Sequence, residues 1–159
     1  METIHIRKAT LNDLPSLLQF EQGVIAAERP FDATLKKSHI HYYDLQALLT
    51  SENAVVMVAE TNGEMIGSGY ARIENSKPYL QHRQHAYLGF MYVLPQQRGK
   101  GIIQSIIEAL KAWSLEKGIH ELRLEVYQEN KAAIKAYEKA GFQKLLVEMR
   151  MPLLPKSDV

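Results

Sequence analysis

The six-residue stretch QQRGKG, residues 96–101, combines two glycines and two basic residues directly before an apolar run with helical spacing. The first backbone N–H groups of a helix have no internal partners, and the helix dipole favours an anion beside them. Gly99 and Gly101 allow positive φ and the close approach of a ligand. Arg98 and Lys100 add positive charge. The stretch therefore predicts a cradle for a phosphate or pyrophosphate group.

Two common phosphate-binding patterns do not fit this stretch. A Walker A loop requires GxxxxGK[ST], but Leu94 stands where its first glycine belongs and Gly101 follows Lys100 directly. A dinucleotide fingerprint requires a third glycine at position 104, which is Gln104. A glycine-containing turn from strand to helix, with two solvated cations, is the structural alternative.

Length and composition describe one ordinary globular domain. The chain has 159 residues, 46% apolar and 23% charged, which is enough to form a hydrophobic core. The net charge of +1 offers no general attraction to nucleic acid or to an anionic membrane. Cysteine is absent, which excludes disulfides, thiolate metal sites and a cysteine nucleophile. No signal peptide or membrane span is predicted, and we expect a cytoplasmic location.

The apolar periodicity predicts an α/β or α+β domain on a mixed sheet. The predicted strands cover residues 3–9, 54–60, 64–73, 86–93, 121–126 and 143–151. The predicted helices run from Thr10 or Asn12 to Arg29, and over about 33–49, 102–117 and 130–140. Asn62-Gly63 is a hairpin signal that pairs the second and third strands.

A β-α-β unit brings the turn and a later helix to one crevice. The strands over 86–93 and 121–126 should be parallel, because a right-handed helical crossover joins them. Ligands of such units bind at the carboxyl ends of the strands, where QQRGKG lies. Asn130, Ala133 and Tyr137 are spaced to share one face of the helix that follows the second strand.

With both motifs in view, the sequence resembles the GNAT superfamily of N-acetyltransferases. The family pattern [QR]-x-x-G-x-[GA] is matched by Gln96, Gly99 and Gly101. The later family motif is matched by Asn130, Ala133, Tyr137, Lys139 and Gly141-Phe142. Together the motifs cover residues 86–142, and the predicted β-α-α-β-β-β order upstream is also that of the family.

The resemblance implies a GNAT fold, with a mixed, mostly antiparallel sheet, a splayed central parallel strand pair and about four flanking helices. It implies a single acetyltransferase domain over residues 1–153, with a C-terminal tail over 154–159. It also implies acetyl-CoA as co-substrate and no metal. Only one strand's length follows Phe142, so this segment forms one long strand or exchanges with a second subunit, which makes a homodimer possible.

The family also suggests which residues bind the cofactor. Its members hold the pyrophosphate with backbone N–H groups, here those of residues 98–103, and pair the pantetheine arm with the splayed strand. The implied cofactor-binding residues are Met91, Tyr92, Val93, Arg98, Gly99, Lys100, Gly101, Ile102, Ile103, Asn130, Ala133 and Tyr137. Ile103 departs from the family pattern, since many members have glycine or another small residue there. This departure concerns how tightly the cofactor fits against the helix.

The implied reaction is attack of an amine on a thioester. Tyr137 matches the family's general acid, and an unperturbed Tyr, with a pKa of about 10, carries a proton to give at neutral pH. Glu125 matches a proposed base in members that act on protein N-termini, and the structural alternative is an outward-facing strand residue or one that ties loops together. Glu28 and Asp32 lie where the family often builds its acceptor site, and they are further candidates for the base.

The predicted function is direct transfer of an acetyl group from acetyl-CoA to an amine. Protein N-termini, lysines and small-molecule amines are all open as acceptors. One alternative is a non-catalytic acyl-CoA-binding regulatory module on the same fold. A second is a nucleotide-binding domain that uses QQRGKG.

Overall fold

The computed structural model describes residues 3–154, and its elements largely follow the apolar patterning of the chain. The strands are β1 His5–Lys8, β2 Ala54–Thr61, β3 Glu64–Asn75, β4 Gln84–Val93 and β5 Leu122–Arg123. The α-helices are α1 Leu14–Glu28, α2 Leu45–Thr50, α3 Ile102–Glu116 and α4 Lys131–Ala140. Within residues 3–154, no helix has the length and apolar character needed to cross a membrane.

The strands form one mixed sheet in the order β1-β2-β3-β4-β5. The first three pairings are antiparallel, and β4 pairs with β5 in parallel, as the helical crossover through α3 predicts. The predicted mixed, mostly antiparallel sheet is confirmed. Among the described residues, however, the parallel pair lies at the edge of the sheet and not at its centre, because no strand follows β5 in the sheet order.

Both faces of the sheet are covered, which explains why β4 is almost entirely apolar. Helix α3 packs Ile106, Leu110 and Trp113 into a core on one face. Helices α1 and α2 pack on the other face, where Leu17 and Leu45 are buried. The low polarity of the sequence over 86–93 predicts a strand buried on both faces, and β4 contributes to the cores on both sides of the sheet.

The predicted helix over about 33–49 was wrong, because α2 covers only Leu45–Thr50. The carboxylate of Glu21, fully buried on α1, accepts hydrogen bonds from the backbone N–H groups of Tyr42 and Tyr43 at 2.8 Å each. These groups are therefore held by a side chain and not by helical carbonyls. The helix begins only after Asp44, whose side chain caps its first turn.

The other helices match the predictions more closely. Thr10 caps a short 3₁₀ turn over Leu11–Asp13. Helix α1 starts at Leu14, three residues later than a helix capped directly by Thr10 would start. Helix α3 ends just before Gly118 and α4 ends at Gly141, both with positive φ, as expected for glycines that terminate helices. Asn130 caps α4 by accepting a hydrogen bond from the backbone N–H of Ala133.

The predicted strand over 143–151 was also wrong, because residues 143–154 contain no helix or strand. Strand β5 is likewise shorter than the predicted strand over 121–126. The apolar pattern of both segments suits strands, but a strand also needs a neighbour for its backbone. The tail was predicted over 154–159, and its residues 155–159 lie outside the described residues. The predicted domain boundaries stay a prediction.

Glu21 provides a test of how the segment between α1 and α2 is held. Replacing Glu21 with Ala leaves two backbone N–H groups without their acceptor and removes the partner of His41, whose Nδ1 lies 2.7 Å from the carboxylate. We expect the free energy of unfolding, measured in urea, to fall by about 2–4 kcal/mol. Replacing the exposed Glu108 of α3 with Ala is the control, with an expected change within about 0.5 kcal/mol. Equal stability of the two variants would contradict this role of Glu21.

Candidate functional site

The parallel strands β4 and β5 touch at their beginnings and then separate. Only Ala86 pairs with Leu122 and Tyr87 with Arg123. From Leu88 onward, β4 continues beside β3 alone. A crevice therefore opens between the two strands at their carboxyl ends, where the β-α-β unit predicted a ligand site.

A bulge in β4 accompanies this separation. Ser68 pairs with Tyr92 and Tyr70 with Gly89, so the single residue between them in β3 faces two residues of β4, Phe90 and Met91. These two residues have no Cα partner in β3 and form the bulge. Phe90 has a φ of 58°, which is uncommon for a bulky residue, and its carbonyl accepts a hydrogen bond from the Ser68 hydroxyl at 3.0 Å. As a result, Leu88 and Phe90 are two residues apart yet belong to cores on opposite faces of the sheet.

The turn at residues 98–101 carries the chain from the crevice into α3. Gly99 and Gly101 have φ values of 80° and 77°, and Gly101 is the N-cap residue of α3 without a side-chain cap bond. No protein atom lies within 4 Å of a Cβ built on either glycine. The first amides of α3 therefore begin beside open space, as an anion cradle requires.

The two basic side chains of the turn also brace the turn itself. Arg98 donates from Nε to the carbonyl of Val93 at 3.1 Å, and its guanidinium lies 5.9 Å from the centre of the Tyr92 ring. Lys100 donates to the side-chain oxygen of Gln97 at 2.9 Å. The side chain of Ile103 is partly buried against the core of the sheet.

Helix α4 flanks the crevice and carries Tyr137. It is tied to α3 by a hydrogen bond from the side chain of Gln104 to the carbonyl of Ala136 at 3.0 Å. Tyr137 is half-buried, with its ring edge-on to Phe142 at 6.1 Å. Burial, reinforced by the negative charge of Glu28, raises the pKa of Tyr137 to about 12. The phenol is therefore protonated at neutral pH and can donate a proton.

Helix α1 brings Glu28 towards Tyr137. A Cβ on Gly23 would lie 2.6 Å from the Tyr92 ring, so a larger residue at this position would have to displace that ring. Glu28 is the last residue of α1 and is half-buried. Burial raises the pKa of this carboxyl, and the nearby Tyr42 side chain opposes that shift.

Asp32 lies in a polar cluster at the mouth of the same region. Its carboxylate accepts hydrogen bonds from the Thr34 hydroxyl at 2.6 Å and from the Thr34 amide at 2.9 Å, and it pairs with Arg150 at 2.9 Å. The Thr34 hydrogen bonds, with help from Arg150, lower the pKa of Asp32 to about 2. Tyr127 donates to the second carboxylate oxygen at 3.3 Å and stacks on Phe31 with ring centres 6.0 Å apart.

Glu125 lies apart from this cluster. It is exposed and accepts a hydrogen bond from the Tyr87 hydroxyl at 3.3 Å. Burial, reinforced by the charge of Glu125, raises the pKa of Tyr87. The Arg72 guanidinium lies 5.6 Å from the ring centre of Tyr87 and 5.7 Å from that of Tyr70, and the two ring centres are 6.4 Å apart. The roles assigned to Glu125 and to the other candidate residues by sequence stay predictions.

Sequence reasoning missed two contributors to this region. Tyr127 lies in the loop that follows β5, and no local spacing connects it to Asp32. Gly23 carried a signal that could have been used, since a glycine inside an apolar helix often marks a close approach. Within the described residues, no group of three or more His, Asp or Glu side chains is placed to hold a metal ion.

Comparison with known proteins gives a consistent family. The sequence model described as "Acetyltransferase (GNAT) family" matches residues 21–142. An aminoglycoside N(6')-acetyltransferase type 1 from Stenotrophomonas maltophilia is 30% identical over 117 residues, covering 70% of this chain and 75% of that protein.

Two solved structures share the fold at low sequence identity. The tetramutant of the BH1408 protein from Bacillus halodurans has a TM-score of 0.84 at 23% identity, covering 94% of this chain and 99% of that one. A predicted acetyltransferase with acetyl-CoA from Clostridium acetobutylicum has a TM-score of 0.75 at 20% identity, covering 94% of this chain and 96% of that one. The matched span runs from α1 to Phe142 and includes the crevice, the turn and Tyr137, so this chain belongs to the GNAT family of acetyltransferases.

Proposed function

We propose that this enzyme transfers the acetyl group of acetyl-CoA directly to a small-molecule amine of the polycationic, aminoglycoside type. The observation that carries the proposal is the separation of β4 from β5 beside the uncapped start of α3, together with two half-buried titratable side chains, Tyr137 and Glu28. A protonated phenol and a half-buried carboxyl are the acid and the base that amine acetylation requires. The aminoglycoside class comes from the name of the S. maltophilia relative.

The residues around the crevice fit acetyl-CoA. The uncapped N-terminus of α3 at Gly101 offers backbone N–H groups to a pyrophosphate. Beyond Tyr87, the β4 backbone has no strand beside it on the β5 side, so an extended pantetheine arm can pair there. The bulge at Phe90 and Met91 turns backbone groups of β4 out of the β3 ladder, which provides donors for the thioester oxygen.

In the reaction, the amine nitrogen forms a bond to the acetyl carbon and the carbon–sulfur bond breaks. Tyr137 gives its phenolic proton to the leaving sulfur. The neutral amine loses one proton as the carbon–nitrogen bond forms, and Glu28 accepts it. Exchange with water then returns both side chains to their starting protonation states.

The identity of the amine decides how much the base matters. An amine with a pKa of about 10.4 is only about one part in a thousand neutral near pH 7.4, which costs about 4 kcal/mol. An amine with a pKa near 8 costs less than about 1 kcal/mol. Amines of lowered pKa therefore need only a weak base, and a carboxyl with a raised pKa such as Glu28 suits them.

Acidic and aromatic side chains support a cationic acceptor. Glu28 and Asp32 lie at the mouth of the crevice, and Phe31 and Tyr127 form a stacked pair beside Asp32. Carboxylates attract ammonium groups, and flat rings pack against sugar or alkyl faces.

The proposal is tested by measuring thiol release from acetyl-CoA with a panel of amines. The panel contains aminoglycosides, polyamines, amino acids, peptides with free N-termini and N-terminally blocked peptides with free lysine. We expect release with aminoglycosides and little with either class of peptide. Release with peptides alone would overturn the acceptor class, whereas acetyl-CoA binding without any release would favour a non-catalytic module.

Replacing Tyr137 with Phe removes the proposed general acid and keeps the ring. We expect kcat to fall by about 10²- to 10⁴-fold, with little change in the KM for acetyl-CoA. Because the pKa of Tyr137 is about 12, the wild-type rate should not decline with rising pH below about pH 10. Tyr79→Phe is the control, since Tyr79 lies exposed in the β3–β4 loop. An unchanged kcat in Y137F would contradict the assignment.

The variants Glu28→Gln and Glu125→Gln distinguish two of the three candidate bases. Only the ionised carboxylate accepts a proton, and burial raises the pKa of Glu28, so kcat/KM should rise with pH above the ordinary carboxyl range of about 4.3. In E28Q, we expect kcat/KM to fall by at least about 100-fold and no longer to rise with pH. The exposed Glu129→Gln provides a charge-matched control. If the loss occurs in E125Q and not in E28Q, Glu125 is the base.

Gly101 and Gly118 allow the cradle to be tested with a matched pair. Both glycines have φ near +77°, and a Cβ on either meets no atom within 4 Å. Replacing either with Ala should therefore cost a similar 1–2 kcal/mol or so of stability. Gly101 begins α3 at the crevice and Gly118 follows its other end, so we expect only G101A to raise the Kd for acetyl-CoA, by about 10-fold. Equal affinities would show that the cradle lies elsewhere.

A further inference from the structure

A pocket of about 380 Å³ lies between the end of β1, the end of α2, the start of β2 and the end of α3, and we call it the distal pocket. Its volume lies within the range of pockets that hold small ligands. Its charged and aromatic side chains and its free backbone groups come from six residues, namely Lys8, Glu52, Ala54, Val56, Trp113 and Lys117.

The distal pocket is separate from the crevice. Helix α3 begins beside the crevice, directly after Gly101, and places Trp113 and Lys117 at its other end. The helix covers 15 residues, which corresponds to a length of about 22 Å. A small ligand in the distal pocket therefore does not touch the turn at residues 98–101.

The pocket forms where β1 stops covering β2. The Ala9 N–H donates to the Val56 carbonyl at 2.8 Å, so the polar backbone groups of Val56 point to the β1 side. Those of Ala54 point the same way, because backbone groups two residues apart in a strand share a direction. The chain then turns away at Thr10, and within residues 3–154 no strand lies beside Ala54 on this side.

Three N–H groups of the lining have no partner in the described part of the chain. Neither the backbone N–H of Ala54 nor that of Val56 donates to an acceptor on the β1 side within residues 3–154. The indole N–H of Trp113 likewise makes no hydrogen bond there. The three residues are nearly buried, with 9%, 2% and 6% of their surface exposed in that order. Buried donors are almost always paired, so their acceptor comes from outside the chain, as water or a ligand.

The charges around these donors favour an anion. In the part of the chain that the structure describes, neither Lys8 nor Lys117 forms an ion pair, and the Lys117 ammonium lies 5.7 Å from the centre of the Trp113 ring. Glu52 is the one acidic side chain of the lining. Two lysines and one glutamate leave the lining with a net charge of +1, which matches a monocarboxylate better than a phosphate dianion.

We propose that the distal pocket is a second ligand site, which binds a small metabolite through a carboxylate group. Lys8 and Lys117 attract the carboxylate, and the Trp113 indole and the free N–H groups of β2 donate to oxygen atoms of the ligand. Plain carboxylic acids and amino acids share this group. In an amino acid, the ammonium group pairs with Glu52.

The chain carries its own reporter for this site. Trp113 is the only tryptophan, so its fluorescence reports on the distal pocket alone. The purified full chain is titrated at constant ionic strength with benzoate, succinate, leucine, glutamate and inorganic phosphate, and thermal unfolding provides a second readout. We expect a saturable fluorescence change with at least one carboxylate at a Kd below about 1 mM, together with a higher unfolding temperature. Inorganic phosphate should produce neither effect.

The lysines are tested one at a time. We expect Lys8→Gln and Lys117→Gln each to raise the Kd for that carboxylate about 10-fold, because each removes one charged donor. Lys111→Gln is the matched control, since Lys111 is an exposed lysine of the same helix outside the pocket lining, and its Kd should stay within about 2-fold of the wild type. All three lysines are exposed, so circular dichroism should show folded variants.

Glu52→Gln distinguishes the two sources of the carboxylate. Removing this negative charge should tighten the binding of a plain acid and weaken that of an amino acid whose ammonium group pairs with Glu52. Either change places the ligand beside Glu52 and supports the proposal.

Acetyl-CoA tests the location. At saturating acetyl-CoA, we expect the carboxylate to keep its fluorescence response, because the two sites lie at opposite ends of α3. Loss of that response, with an unchanged Kd in K8Q and K117Q, would place the carboxylate in the crevice and overturn the proposal.

The remaining outcomes also decide the matter. A pocket that holds only water gives no saturable response to any carboxylate up to about 20 mM, and that result overturns the proposal. A response to inorganic phosphate alone overturns the ligand class. An equal loss of affinity in K111Q shows a general charge effect and not a built site.

Discussion

The separation of β4 from β5 is the constraint on which the rest of the site depends. Two residue pairs hold the strands together at Ala86 and Tyr87, and β4 then turns away through a bulge at Phe90. Parallel strands that stayed paired would leave no space between them. Because these strands diverge, β4 exposes a backbone edge inside the domain, and α3 and α4 come to flank a cleft and not a closed sheet.

Polar anchors, and not a helix, shape the other wall of the cleft. The buried carboxylate of Glu21 accepts hydrogen bonds from the N–H groups of Tyr42 and Tyr43, and Asp32 accepts them from the N–H and the hydroxyl of Thr34. Such bonds let a loop keep one conformation without helical pairing. Gly23 lets the Tyr92 ring of β4 lie directly against α1, the helix that ends at Glu28.

The C-terminal segment, residues 143–154, is tied to the polar cluster of Asp32. Arg150 of this segment pairs with the Asp32 carboxylate, while the apolar side chains of the segment stay exposed. Because burial of apolar side chains is the main driving force for folding, this segment adds little to the stability of the core.

Local patterns in the sequence were sufficient for the elements that stabilise themselves. The helix over 102–117 was predicted from its apolar stripe, and its ends from Gly101 and Gly118, because periodicity and glycine conformation are local properties. The hairpin at Asn62-Gly63 was predicted for the same reason. The family motifs also led to the crevice and to Tyr137, since they lie on these regular elements.

Tertiary contacts decided the rest. The helix predicted over 33–49 lost its first part to the buried Glu21, a residue distant in sequence. The segment over 143–151 has the composition of a strand. A strand also needs a neighbouring strand for its backbone, and within residues 3–154 none lies beside this segment. The proximity of Glu28 to Tyr137, across more than a hundred residues, depends on how α1 packs on β4. Sequence by itself determined the local geometry, whereas only the packed chain decided which distant groups meet.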